Sequence, residues 1–221
     1  MMKSGWGRVL RYFVWQAEIY VCFAVAGAFV MVAYVNLING EAFHQQRFLQ
    51  AVPNTVVFNA MMILFLDGVS SFKYVYDMPV SFGCLRRNAF LGGLLMDGLL
   101  AAESLLISIA AARLLQTEQM DLIFCAALFL LLEGIARLIG IASMKWGRVV
   151  YFVMIGVIVG ISVCIGFLAG VTGGATVSLV RFLGTDWKQE TQWIVLAVGA
   201  VVCFAANAGS WGILKNLEVR G

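Results

Sequence analysis

The chain has one histidine, two prolines and few charges: only 12% of its 221 residues are Asp, Glu, Lys or Arg. Each shortage excludes something. His44, with no Cys or carboxylate pair beside it, cannot build a catalytic zinc site. The H-E-x-x-H pattern of membrane metalloproteases is absent. No G-x-S-x-G elbow occurs, and with a single histidine a Ser–His hydrolase has no second base to draw on. There is no G-x-x-x-x-G-K-[ST] phosphate loop, so the chain does not hydrolyse ATP alone. The run Gly170–Gly174 lacks a lysine and reads as a helix break. Cys22, Cys84, Cys125, Cys164 and Cys203 show no metal-ligand or redox spacing. They read as small apolar packing residues.

What is abundant is apolar surface. Hydrophobic residues make up 62% of the chain and the mean hydropathy is +0.93. A water-soluble domain of this length could not cover that surface, so the bilayer must be its solvent. Six apolar blocks are each long enough to cross about 30 Å of hydrocarbon as a helix. They lie near 13–38, 54–72, 89–112, 121–143, 149–171 and 192–214. A spanning segment must satisfy its own backbone hydrogen bonds, which makes the predicted fold all-α and polytopic. The alternating ten-residue segments of an outer-membrane barrel are missing. Pro53 and Pro79 are expected at the first turns of helices, where the absent N–H costs nothing.

Orientation follows from the basic residues beside the spans. One side collects Lys3, Arg8, Arg11, Lys73, Arg86, Arg87, Lys145, Arg148, Lys215 and Arg220; the other has Arg47, Arg113, Arg181 and Lys188. Arg137 alone lies inside a span. Both termini are therefore expected in the cytoplasm, and the net charge of +3 is a topology signal with no nucleic-acid partner implied. The first block is too long for a signal peptide and no small-x-small cleavage site follows it, so it should be retained. Met2–Phe13 mixes Trp6, Val9, Leu10 and Tyr12 with Arg8 and Arg11, as an interfacial helix does before the chain turns into its first span.

The connector between the second and third spans is the most distinctive segment. It reads Lys73-Tyr-Val-Tyr-Asp-Met-Pro-Val-Ser-Phe-Gly-Cys-Leu-Arg-Arg-Asn-Ala89. Pro79 stops the preceding helix and Ser81 can cap a short new one. That helix would display Phe82, Leu85, Arg86 and Arg87 before running through Asn88 into the third span. An apolar knob with two arginines at the membrane surface suits docking of a soluble partner.

The run Met78–Gly92 resembles the segment between spans two and three of small bacterial type-2 ATP-binding-cassette permeases. That segment has the pattern P-x-S-x-G-x-x-R-[RK]-x-x-F-x-G. The resemblance implies that residues 74–88 carry a coupling helix seated in a groove of an ATPase subunit, with Phe82, Leu85, Arg86 and Arg87 in the contact. It also implies a second permease copy or paralogue completing a dimeric pore. No cofactor is expected in this chain, since ATP and Mg would be bound by the partner ATPase. Read without the resemblance, Arg86 and Arg87 are inside-positive anchors.

Several charges fall inside the apolar blocks, where each needs a partner or a water-lined surface. Glu133 and Arg137 are four apart, so they share a helix face and can pair within their own span. Asp97 and Glu103 are six apart and point about 120° away from each other on a helix, so they form no acid/base pair. Asp97, Glu103, Glu133 and Arg137 are together the candidates for a translocation cavity or an intramembrane charge network. Glu18 and Asp67 are expected to snorkel or to pair with Arg8, Arg11 or Lys73.

Gly156-x-x-x-Gly160, Gly166-x-x-x-Gly170 and Ala205-x-x-x-Gly209 are small-residue patterns that allow close helix approach, expected here as packing faces within one chain. The outer connector 172–191 is too apolar for a solvated loop, and Trp187 and Trp193 fit an interfacial belt. Type-2 permeases similarly carry short outer helices that dip back into the membrane between spans five and six. The resemblance therefore implies an outer gate, with Leu179, Arg181 and Phe182 as its candidate residues.

These readings converge on an exporter subunit in a bacterial cytoplasmic membrane, moving an amphipathic or hydrophobic cargo such as a peptide, lipid or drug. Two alternatives from other classes stay open. One is a stand-alone ion-coupled carrier using Asp97, Glu103, Glu133 and Arg137 as a relay. The other is a non-transporting immunity or sensor protein that only binds a partner.

Overall fold

A computed structural model describes residues 3–38, 45–75, 86–116, 122–147, 149–153, 156 and 189–215. Apart from turns at Gln116 and Gly147, all of these residues are helical. Five long helices result: α1 (Lys3–Ile38), α2 (Gln45–Val75), α3 (Arg86–Leu115), α4 (Leu122–Trp146) and α5 (Gln189–Lys215). All five are long and apolar enough to cross a membrane. Gly147 ends α4 in the left-handed region (φ 62°), its N–H donating to the Ser143 carbonyl at 2.8 Å, as a helix-terminating glycine does.

The surface differs from that of a water-soluble bundle. Large apolar groups point outward, among them Phe23, Tyr34, Leu114, Phe152 and Phe204. The buried set includes Asp97, Ser104, Ser108, Glu133, Arg137, Ser143 and Ser210. Water would penalise such a surface, whereas lipid does not distinguish Phe outside from Leu inside. The described residues thus form an all-helical bundle whose five long apolar helices are consistent with a multi-pass membrane protein.

Packing faces are narrow stripes of small or β-branched residues. On α1 the stripe is Phe13, Ala17, Val21, Ala24, Ala28 and Val32, spaced three or four apart as one helix face requires. Val21 and Ala24 join Val57, Ala60, Met61 and Leu64 of α2, Leu100 of α3 and Cys125 and Phe129 of α4 in the largest core cluster. The α4 helix is buried on several sides and meets α2, α3 and α5. Gly68 of α2 lies so close to α4 that an added Cβ would come within 2.7 Å of the Ala136 Cβ.

Paired positions give the chain direction of each helix. The α1 and α2 helices run antiparallel, Tyr20 meeting Asp67 and Ala28 and Val32 meeting Val52 and Val56. By contrast α4 and α5 run parallel. Ala127 faces Gly199, Gly134 faces Cys203 and Ala206, and Leu138 faces Gly209.

The expected organisation changes in two places. Pro53 does not open a helix: α2 starts at Gln45 and Pro53 lies buried inside it. The residues before it, Gln46 to Val52, contain nothing that stops a helix. Nor does the chain turn near Phe13, because α1 is continuous from Lys3 and Phe13 is buried against Ala17 and Met96. Arg86 and Arg87 open the described part of α3, in line with a helix that continues through Asn88 into the third span. Most of the expected fifth span 149–171, the outer connector 172–191 and the coupling segment 74–88 lie outside the described residues.

Candidate functional site

Among the described residues, the most polar place in the bundle interior is built on α4. Glu133 and Arg137 are one turn apart, and Arg137 Nε donates to Glu133 Oε1 at 2.8 Å, forming the i,i+4 ion pair that their spacing allows. The guanidinium also reaches across to α3, where its Nη2 pairs with Asp97 Oδ2. Relative exposures are 2% for Arg137, 5% for Asp97 and 8% for Glu133, so the three charges are removed from solvent and lipid alike. From α3, the Phe90 ring lies 5.4 Å from the guanidinium carbon, within cation–π range. Gly93 leaves room beside it: a Cβ there would sit 3.1 Å from Arg137 Nη1.

The α5 helix closes the other side of Glu133. Asn207 Nδ2 donates to both carboxylate oxygens, at 3.0 and 3.3 Å. The Cys203 thiol donates to Oε2 at 2.8 Å. Cys203 and Asn207 are themselves four apart, so the polar face of α5 meets the polar face of α4 in register. Close approach is possible because Gly134 replaces a side chain at the crossing, where an added Cβ would lie 2.8 Å from the Cys203 Cα.

A second polar group occupies the α1–α2 seam at a similar level. Tyr20 donates its hydroxyl proton to Asp67 Oδ1 at 2.6 Å and accepts from Gln16 Nε2 at 2.8 Å. Gly68, next to Asp67, faces Ala136 and the Arg137 backbone, which sets the two groups side by side. Farther along the same seam, Asn59 Nδ2 donates to the Ala24 carbonyl at 3.3 Å. All five helices therefore contribute to one layer of hydrogen-bonding side chains.

Of the four candidate intramembrane charges, Asp97, Glu133 and Arg137 come together. Glu103 does not join them; it is half-buried two turns farther along α3. Glu18 is exposed on α1, and Asp67 accepts a hydrogen bond from Tyr20. Arg87 is exposed at the head of α3. Phe82, Leu85, Leu179, Arg181 and Phe182 fall outside the described residues, as does His44.

Sequence reasoning missed Cys203, Asn207 and Tyr20. Asn207 had a legible signal: an asparagine in the middle of an apolar span seeks a partner on another helix. Cys203 had none, because a cysteine in a span is ordinarily an apolar filler. Among the described residues no three His, Cys, Asp or Glu side chains are grouped as metal ligands. This arrangement holds paired charges and hydrogen bonds at the bundle centre. Compared with known proteins, the chain matches no family model, no curated protein and no solved structure.

Proposed function

We propose that this chain is the membrane subunit of an ATP-binding-cassette exporter in a bacterial cytoplasmic membrane. The observation that carries this reading is the head of α3. Arg86 and Arg87 form its first turn, with no acidic residue there. A helix N-terminus carries partial positive charge, so two cations are unfavourable for the helix itself. They follow directly on the segment Met78–Leu85, whose sequence resembles the coupling region of type-2 permeases. Their placement suits contact with an acidic groove of a soluble ATPase. In this reading the ATPase binds ATP and magnesium, closes on itself, and pushes on the 74–88 segment, which passes the movement to α2 and α3.

Six spans with both termini inside are part of the same proposal. The parallel run of α4 and α5 supports the count, because the chain must recross the bundle between Trp146 and Gln189. The basic residues flanking the spans support the orientation. A second copy or paralogue completes the pore, an outer gate near Leu179–Phe182 closes it, and the cargo is amphipathic or hydrophobic.

The test is co-purification from the native membrane, comparing the intact chain with the triple variant Phe82→Ala, Arg86→Ala, Arg87→Ala. An ATPase held by the intact chain and lost from a variant that still inserts is the expected result. No ATPase in either sample overturns the proposal. A second reading, a stand-alone ion-coupled carrier, is favoured by the buried layer around Arg137, and it predicts proton-driven transport by the chain alone in liposomes.

A further inference from the structure

The buried layer contains more acid than base. Arg137 faces two carboxyl groups, Glu133 on its own helix and Asp97 on α3. If both were ionised, one negative charge would remain uncompensated among helices that exclude water, an expensive arrangement. The surroundings add no second cation among the described residues. From α2, Gly68 lies against the Arg137 backbone, which brings the neighbouring Asp67 to the edge of the layer, and from α1 Tyr20 donates to Asp67. From α5, Cys203 and Asn207 reach the layer through Glu133.

The two carboxyl groups are not equivalent. Glu133 accepts from Arg137 Nε, from Asn207 Nδ2 and from the Cys203 thiol. An acceptor surrounded by three donors is the environment of an ionised carboxylate. Asp97 accepts from Arg137 Nη2 alone, on Oδ2. Its Oδ1 is buried with no hydrogen-bond partner among the described residues, a poor place for half of a full negative charge.

We infer that Asp97 is a proton-binding site inside the membrane, with Glu133 the permanent counter-ion of Arg137. The proton balances the charge of the cluster and sits on the carboxyl with the fewest donors. Because Asp97 is on α3, a proton gained or lost there changes the tie between α3 and the α4–α5 pair. The site stands independently of the exporter proposal.

Two isosteric variants separate the roles. Asp97→Asn substitutes a neutral amide for a neutral acid and is expected to leave the unfolding midpoint in detergent close to that of the parent. Glu133→Gln removes the ionised partner of Arg137 and is expected to lower the midpoint markedly. The reverse order overturns the assignment. A second measurement needs no variant. Dicyclohexylcarbodiimide adds to protonated carboxyls in apolar surroundings, so the intact chain in liposomes at neutral pH is treated with it, digested and mapped by mass spectrometry. Label on Asp97 and not on Glu133 is expected; label on Glu133, or none on Asp97, rules the proton site out.

Discussion

The two sides of α4 are built on opposite principles. Toward α5, Gly134 and Gly199 bring backbones together, and an added Cβ at Gly199 would fall 2.9 Å from the Ala127 carbonyl oxygen. Dispersion between closely fitted surfaces holds this side, since lipid offers no hydrophobic drive for helices to associate. Toward α3 the backbones stay farther apart and side chains span the gap: Leu100 meets Cys125 and Phe129, Phe90 meets Ile141, and Arg137 reaches Asp97. A close-packed seam has one good arrangement, whereas a long side chain bridging a looser seam can be made and unmade.

The largest expected effect comes from removing the bridge. Arg137→Leu leaves Glu133 buried without its cation, and breaking a buried pair from one side costs about 3–5 kcal/mol. Reversible unfolding in mixed micelles should place Arg137→Leu below Gly134→Ala, Ala206→Leu and Tyr20→Phe in stability. Loss under about 1 kcal/mol would mean that the charges are solvated and the seam is not sealed.

Next are the glycines, which set the two sides of α4 directly against each other. Gly134→Ala places a methyl against the Cys203 backbone, which cannot turn away, and overpacking of this kind costs roughly 1–3 kcal/mol. Gly93→Ala meets only the tip of the Arg137 side chain at 3.1 Å, which can shift by a few tenths of an ångström, so its effect should be clearly smaller. Equal losses for the two variants would remove the distinction between a rigid and an adjustable seam.

This contrast also explains which features are legible in the sequence. Apolar block length alone locates α1 to α5, because a span must be long, apolar and helical. The Glu133–Arg137 pair is legible because an i,i+4 spacing is a property of one helix. Asp97 as the second partner is not, since which helix lies beside which depends on packing that periodicity does not encode. Pro53 misled for a related reason. A proline ordinarily marks a helix start, but inside a membrane bundle the helical residues on both sides of it and its buried position outweigh one missing hydrogen bond. The docking residues Phe82 and Leu85 and the gate residues Leu179, Arg181 and Phe182 rest on resemblance alone.

A smaller effect is expected at the α1–α2 seam. Tyr20→Phe removes the donor to Asp67 Oδ1 while keeping the ring. Hydrogen bonds between membrane helices average about 0.6 kcal/mol, and the same unfolding assay should register a loss of that order. A loss matching that of Arg137→Leu would show that the tyrosine–aspartate pair belongs to the charged cluster energetically as well as by position.

The smallest effect concerns the face α5 turns toward α4. The Ala205-x-x-x-Gly209 pattern suggests a packing stripe, yet Ala205 is exposed and the buried neighbour is Ala206. Gly199, Cys203, Ala206 and Ser210 form the inward stripe, at spacings of four, three and four. One residue of register is about 100° of helix rotation, enough to turn a packing position out to lipid. Ala205→Leu should therefore change stability by less than about 0.5 kcal/mol, as surface substitutions do. Ala206→Leu should cost roughly 1–3 kcal/mol, because its side chain is forced into the close seam beside Gly134. If Ala205→Leu were the damaging member of the pair, α5 would be rotated, and Cys203 and Asn207 would no longer point at Glu133.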